Sequence, residues 1–289
     1  MRLFRFAEDR LPVAVMSLLF AFDLAVYSLV DSPLWLFSWT LVGILPKAHV
    51  CSWNHHHQHV SVFLSPLANR ALELMYALQT GISSHAWVLH HSIGHHRNYL
   101  DQAKDESRWQ RADGSVMSEF EYTLEVGLTA YPRAWAAGRQ FPRQRRIFLW
   151  MGILTLVVAL TLVVVRPLAA LAVFILPMVI SLFLTAWATH SHHSGKSTDS
   201  HFVACNNILH RGYNIVTGNL GYHTAHHYQP GLHWSRLPAL HEEIADRIPL
   251  EAYLTPGLPW NWGQKENPLE RPSSPGLLGL SPSGIAAAE

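Results

Sequence analysis

The chain has 289 residues, of which 49% are hydrophobic and only 14% charged, and it carries eleven tryptophans. A formal net charge of +1 without any basic block excludes a dedicated nucleic-acid binder, and the composition favours one integral-membrane domain with a polar cap over two soluble domains. The two cysteines, Cys51 and Cys205, stand too far apart for a CxxC knuckle and are too few for a disulfide framework, so any metal is held by nitrogen or oxygen.

Arg2, Arg5 and Arg10 precede an apolar run that lacks a small-residue cleavage site, so the run reads as a retained span rather than a signal peptide. Residues 12–31 and 33–50 each approach the ~20 residues needed to cross a bilayer, and Asp31-Ser32-Pro33 forms the turn between them. Asp23 is an oddity in the first span, since a carboxylate near mid-span costs about 2.5–3.5 kcal/mol. It faces a neighbouring helix or serves as a functional carboxylate. Residues 61–146 are mixed. Leu64, Leu67, Leu72, Met75, Tyr76 and Leu78 predict an interfacial helix with Asn69, Arg70 and Glu73 facing water, and residues 101–116 read as a charged loop. Residues 147–165 and 167–189 form the second apolar pair, split at Arg166-Pro167. A short amphipathic helix is expected after His241 to about Ile248, and the Pro/Gly/Ser-rich stretch 251–289 reads as a tail, disordered from 265 onward. The fold class expected is all-α: a four-span bundle of two hairpins within a single domain, 1–250. Arginines before the first and third spans place both termini, and every histidine group, on the cytoplasmic side.

The twenty histidines divide equally between residues 49–96 and 190–241, each group beginning where an apolar pair ends. Four clusters stand out: His55-His56-His57-Gln58-His59, His91-Ser-Ile-Gly-His95-His96, Thr189-His190-Ser191-His192-His193 and His223-Thr-Ala-His226-His227. On an α-helix, residues three and four apart share a face. His223, His226 and His227 would then converge, as would His55 with His59 and His91 with His95. Neutral imidazole suits iron, copper or zinc, and eight or nine converging ligands exceed what one metal takes. His49 and His57 are weaker candidates, and His56, His85, His192, His201, His210, His233 and His241 are expected beside the ligands, at interfaces or exposed. Asp101, Asp105, Glu106 and Asp199 are the carboxylates able to accept a ligand's second N–H, or else are solvated loop charges. Trp234, Pro230, Leu237 and Pro238 are expected to pack the last cluster.

These motifs resemble the membrane fatty acid desaturase and hydroxylase superfamily over roughly residues 12–245. "HHHQH" is similar to its first histidine box, "HSIGHH" to its second, and "NLGYHTAHHYQPGLHWSRLP" to its third. The resemblance implies two iron ions held by His55, His59, His91, His95, His96, His223, His226 and His227, with His190 in "AWATH" as the ninth ligand. It also implies dioxygen as co-substrate, and electrons from a separate ferredoxin, rubredoxin or b-type cytochrome with its reductase. The sequence departs from the family at Ala186, where an asparagine often stands, and the triple His55-His56-His57 leaves the register of the first box open. The expected activity is oxidation of a fatty acyl lipid or acyl thioester to introduce a double bond. A hydroxylase or ketolase of the same scaffold acting on an alkane, sterol or carotenoid is the alternative. A membrane zinc hydrolase and a metal-handling protein are the remaining readings; the last expects ionisable groups along the spans, of which Asp23 is almost the only one seen.

Overall fold

Apolar runs long enough to bridge a bilayer must satisfy their own backbone polar groups, and the helix does so within one segment. The computed structural model describes residues 2–255, and its regular elements are all helical, with only isolated β-bridges besides among the described residues. It divides into two compact units, Met1–His190 and a second beginning at Ser191.

The first unit contains α1 (Arg10–Leu29), α2 (Pro33–His59), α3 (Pro66–Thr80), a π-helical segment (Trp87–His95), α4 (Glu119–Ala137) and α5 (Pro142–Val165). A further helical run comprises α6 (Pro167–Ala170), a π turn (Leu171–Ile175) and α7 (Leu176–His193), whose last three residues pass into the second unit. Four helical stretches, Ala7–Leu29, Pro33–His59, Pro142–Val165 and Pro167–His193, are long and apolar enough to cross a membrane. The second and fourth run beyond the predicted ends at 50 and 189, and the third starts before 147. Hydropathy marks where apolar side chains stop, whereas the backbone ladder continues wherever buried polar side chains find partners.

Prolines start the helices at Pro33, Pro142 and Pro167, where a missing N–H costs nothing. The two hairpin turns are joined by Arg166, which donates to the Tyr27 carbonyl, to the Val30 carbonyl at 3.0 Å and to the Asp31 carboxylate. Small residues, Ala159, Ala169, Ala170 and Ala172, let the helices approach around Tyr27 and Phe174. The outward faces stay apolar and uncovered, with Val164 82% and Leu41 74% exposed.

A π turn displaces carbonyls from the α ladder and leaves them available to other donors. At Leu171–Ile175 both are taken by α2: Thr40 Oγ1 donates to Ala172 at 2.6 Å and Lys47 Nζ to Val173 at 2.7 Å. Lys47 also pairs with Asp23 at 2.9 Å, and Trp39 Nε1 donates to the same carboxylate oxygen at 2.9 Å. Asp23 therefore faces a neighbouring helix, and its cation, Lys47, is a second charge in the spans that a hydropathy reading passes over.

The expected interfacial helix forms as α3, with one correction. Asn69 and Glu73 are buried rather than facing water. Asn69 accepts from the Phe63 N–H at 2.9 Å and donates to the Phe63 carbonyl at 3.0 Å, and Glu73 is bound by Arg70, Ser84 and His57. Partners remote in sequence reverse the face that periodicity assigns. Helix α4, which the sequence reading leaves within mixed chain, starts at a Ser118 cap accepting from the Glu121 N–H at 3.2 Å.

The second unit holds α8 (Arg211–Thr217), α9 (His223–Tyr228) and α10 (Leu237–Ile244), packed on Tyr222, Ala225, Leu237, Leu240 and Ile248, with Trp234 against that core. The helix expected after His241 thus starts earlier, at Leu237. Asn214 Nδ2 donates to the Ile208 carbonyl at 2.8 Å and its Oδ1 accepts from Gly221 N–H at 3.0 Å. Gly221 sits so close that a Cβ there would lie 2.1 Å from the Ile208 carbonyl oxygen. Of the stretch read as a tail, Leu250–Ala252 forms a helical turn whose Ala252 carbonyl accepts from Asn207 N–H at 2.6 Å; the part beyond 255 lies outside the described residues.

Candidate metal centre

Because α2 stays helical through the first histidine cluster, His55 and His59 stack one turn apart with ring centroids 4.9 Å from each other. His57 lies on another face and is committed elsewhere: the Val62 N–H donates to its Nδ1 at 3.3 Å, which leaves Nε2–H for Glu73 at 3.2 Å. His56 packs beside Trp53, with centroids 6.1 Å apart.

The second cluster does not use α-helical spacing. Trp87–His95 is π-helical, and His96 N–H bonds to the His91 carbonyl at 2.8 Å, five residues back. The wider turn keeps i, i+4 and i+5 on one side. His91 stacks with His95 at 5.1 Å, and His96 turns its Nε2 to 2.9 Å from that of His91. Gly94 lets Glu106 pack directly against this turn, since a Cβ there would meet Glu106 Cγ at 2.4 Å. The result brings His55, His59, His91 and His96 together, with one ligand nitrogen from each within 4.8 Å of the others. His95 is aimed by Asp105, whose oxygens lie 2.8 and 3.0 Å from Nδ1, which makes Nε2 the nitrogen it could offer a metal. Of the other proposed carboxylates in this unit, Asp101 pairs with Lys104 at 2.6 Å in solvent and Glu106 is half-buried near Arg133.

In the second unit, α9 carries His223, His226 and His227, all buried. Their centroids are 4.7 Å (His223–His227), 5.5 Å (His226–His227) and 5.6 Å (His223–His226) apart. Asn207 holds the start of this short helix, its Oδ1 accepting from Thr224 N–H at 3.0 Å and its Nδ2 donating to Thr224 Oγ1 at 2.8 Å. His193 completes the group: its Nε2 lies 3.0 Å from His223 Nε2, and its ring lies 4.6 Å from that of His227.

His190, the residue singled out on the sequence, is engaged within the first unit. Its Nε2 bonds to the Met117 carbonyl at 3.2 Å and its ring packs 5.1 Å from Tyr122. Helix α7 continues to His193, three positions beyond His190. Several surplus histidines have structural tasks. His210 Nδ1 accepts from Tyr213 N–H at 3.2 Å and caps α8, His192 stacks on His223 at 4.1 Å, and His241 meets the Tyr253 hydroxyl at 3.3 Å. His85, in the left-handed region at φ 62°, is bound by Arg70 and Ser84. Burial, with Arg70 next in effect, lowers its pKa to about 4.

The family model for fatty acid desaturases matches residues 33–258, most of the chain. The chain belongs to the fatty acid desaturase family. A search of curated proteins and a search of solved structures gave no match. The family assignment and the four apolar helices together make this a membrane protein of the desaturase/hydroxylase-type oxidoreductases. Its histidine boxes lie in the clusters described above. The donor set fits a transition metal: imidazole nitrogens converge at short range, with no cationic side chain among those grouped as ligands.

A largely apolar, partly open cavity adjoins the first cluster, with His91 and Trp87 in its wall. Trp87 lies 5.2 Å from the rings of both His55 and His91. Ala86, Val126, Gly127 and Leu182 supply apolar lining. His90, also in the wall, has its pKa lowered to about 3, chiefly by burial and then by Arg133.

Proposed function

We propose that this desaturase-family protein is a non-haem di-iron, dioxygen-dependent enzyme that introduces a double bond into a fatty acyl chain. The observation that carries the reading is the juxtaposition at His91: one buried residue belongs both to a four-imidazole cluster and to the wall of an apolar cavity. His55, His59, His91 and His96 would hold one iron, and His193, His223 and His227 the second, with His95 and His226 completing the set. His193 replaces His190 in this assignment because His190 Nε2 is engaged by a backbone carbonyl.

When bound, the irons supply the dioxygen-activating redox chemistry that removal of hydrogen from an unactivated methylene requires. The chain's own part is positional. Asp105 fixes the tautomer and ring direction of His95, Glu73 and the Val62 N–H keep His57 out of the ligand set, and the apolar cavity keeps water from the acyl segment. The arginine distribution supports a multi-pass topology with termini and site on the cytoplasmic face, where an acyl thioester or acyl lipid and a ferredoxin, rubredoxin or b-type cytochrome with its reductase would meet the enzyme.

The test combines metal analysis with lipid profiling. Protein extracted gently from iron-replete cells is expected to carry two irons per chain, and cells expressing it to gain an unsaturated acyl product. His227→Ala should abolish that product and lower bound iron. An iron-free or zinc-loaded native protein would overturn the proposal, and an oxygenated lipid without new unsaturation would replace desaturation by hydroxylation.

A further inference from the structure

The polar side chains around the cavity beside His91 are nearly all committed to the protein. The Tyr131 hydroxyl donates to the Gly81 carbonyl at 2.7 Å and accepts from Ser83 N–H at 3.0 Å. Thr185 Oγ1 donates to the Ser181 carbonyl and Thr189 Oγ1 to the Ala186 carbonyl, each at 2.8 Å. Ser107 is hydrogen-bonded with Tyr122. Two groups remain. Trp87 Nε1 and His90 Nε2 have no hydrogen-bond partner in the protein, in side chains only 7% and 9% exposed. Both side chains line the cavity.

The chemistry of these two atoms specifies what would satisfy them. An indole N–H can only donate, so it requires an acceptor, whereas imidazole Nε2 donates or accepts according to tautomer. A methylene chain offers neither, and a buried donor left unmet disfavours the complex. A hydroxyl or carbonyl oxygen meets both. Its place follows from the ring contacts, because Trp87 lies 5.2 Å from His55 and from His91, beside the candidate metal ligands.

We propose that Trp87 and His90 form a polar anchor for an oxygen-bearing carbon, so that the cavity takes a long apolar molecule with a hydroxyl or carbonyl group near the carbons presented to the imidazoles. This deepens the reading of the cavity as the lipid site and rests on that placement, though not on the outcome of the reaction being desaturation. The anchor acts as a register stop. It fixes which carbons face His91 by holding an oxygen at a set distance along the chain, a task that apolar walls alone perform poorly.

The experiment is equilibrium binding to the purified full-length protein in lipid nanodiscs, using tritiated octadecane, octadecan-1-ol and octadecan-9-one as probes. At least one oxygenated probe is expected to bind about 5-fold or more tightly than octadecane, the effect of one buried neutral hydrogen bond. Trp87→Phe keeps an aromatic ring, though a smaller one, and loses the N–H, so it should erase that advantage, read as the ratio of oxygenated-probe to octadecane affinity within the same variant. His90→Phe should reduce it. Equal affinities for the three probes in the native protein, no binding of any probe, or an advantage that survives in both variants would overturn the proposal. The native comparison stands even if a variant fails to fold. Failure is also separable from failure of the functional reading: iron-free protein or an unchanged lipid profile would remove the di-iron assignment and leave the probe preference intact.

Discussion

The two groups of candidate ligands are positioned by different means. In the first unit the imidazoles ride on long elements, and helical geometry sets their spacing: an α turn between His55 and His59, and a π turn between His91 and His96. In the second unit α9 is only six residues, too short to hold itself helical in isolation, and its attitude comes from loops locked by Asn207 and Asn214. A cluster on a bundle depends on the packing of whole helices, whereas a cluster on loops depends on a few hydrogen bonds and one close backbone approach. Damage should follow that division.

The largest effect is expected in the bundle. Lys47→Met leaves Asp23 buried without its cation and should cost about 3–5 kcal/mol, read as a lower melting temperature in detergent. The double variant Asp23→Leu/Lys47→Met should recover most of that loss, and a double variant as unstable as the single one would mean that the charge pair is not what links α1 to α2. Next is the loop side. Gly221→Ala drives a Cβ into the Ile208 carbonyl and should cost about 3 kcal/mol, with hydrogen exchange accelerating in residues 206–228 and unchanged in 33–59. Equal acceleration in both regions would dissolve the distinction between the clusters.

Smaller effects sharpen the same contrast. Asp105→Asn removes the carboxylate that aims His95 and should weaken metal binding by about 10–100-fold without unfolding either unit, as metal titration followed by elemental analysis would reveal. Ser118→Ala deletes the cap of α4, which carries none of the candidate ligands, and should cost about 1 kcal/mol with bound metal unchanged. Metal loss in that variant would show that α4 supports the first cluster more closely than its side-chain contacts indicate.

Much of this was legible in the chain because hydropathy and histidine spacing are local signals. Four apolar runs announced four long helices, and HxxxH and HxxHH spacing announced His55 with His59 and the trio on α9. Asp105 stood out as a carboxylate ten residues after His95. Less legible were features whose cause lies elsewhere in the chain. Lys47 looks misplaced until Asp23 and the Val173 carbonyl are seen beside it. Asn69 and Glu73 look solvent-facing until Phe63, His57 and Ser84 claim them. Helix α4 was missed because it is amphipathic rather than apolar throughout, and its start depends on one serine cap.

By itself the sequence determined that the protein is all-helical, that its long helices suit a bilayer, and that nitrogen ligands are abundant where those helices end. These follow from side-chain chemistry and from the backbone's need to satisfy itself in an apolar medium. Only the tertiary structure decided that α7 reaches His193, that the second box winds as a π-helix, and that Trp87 and His90 are left facing a cavity with nothing to bond. Each depends on which carbonyls and side chains remain uncommitted after packing, a balance no local pattern encodes.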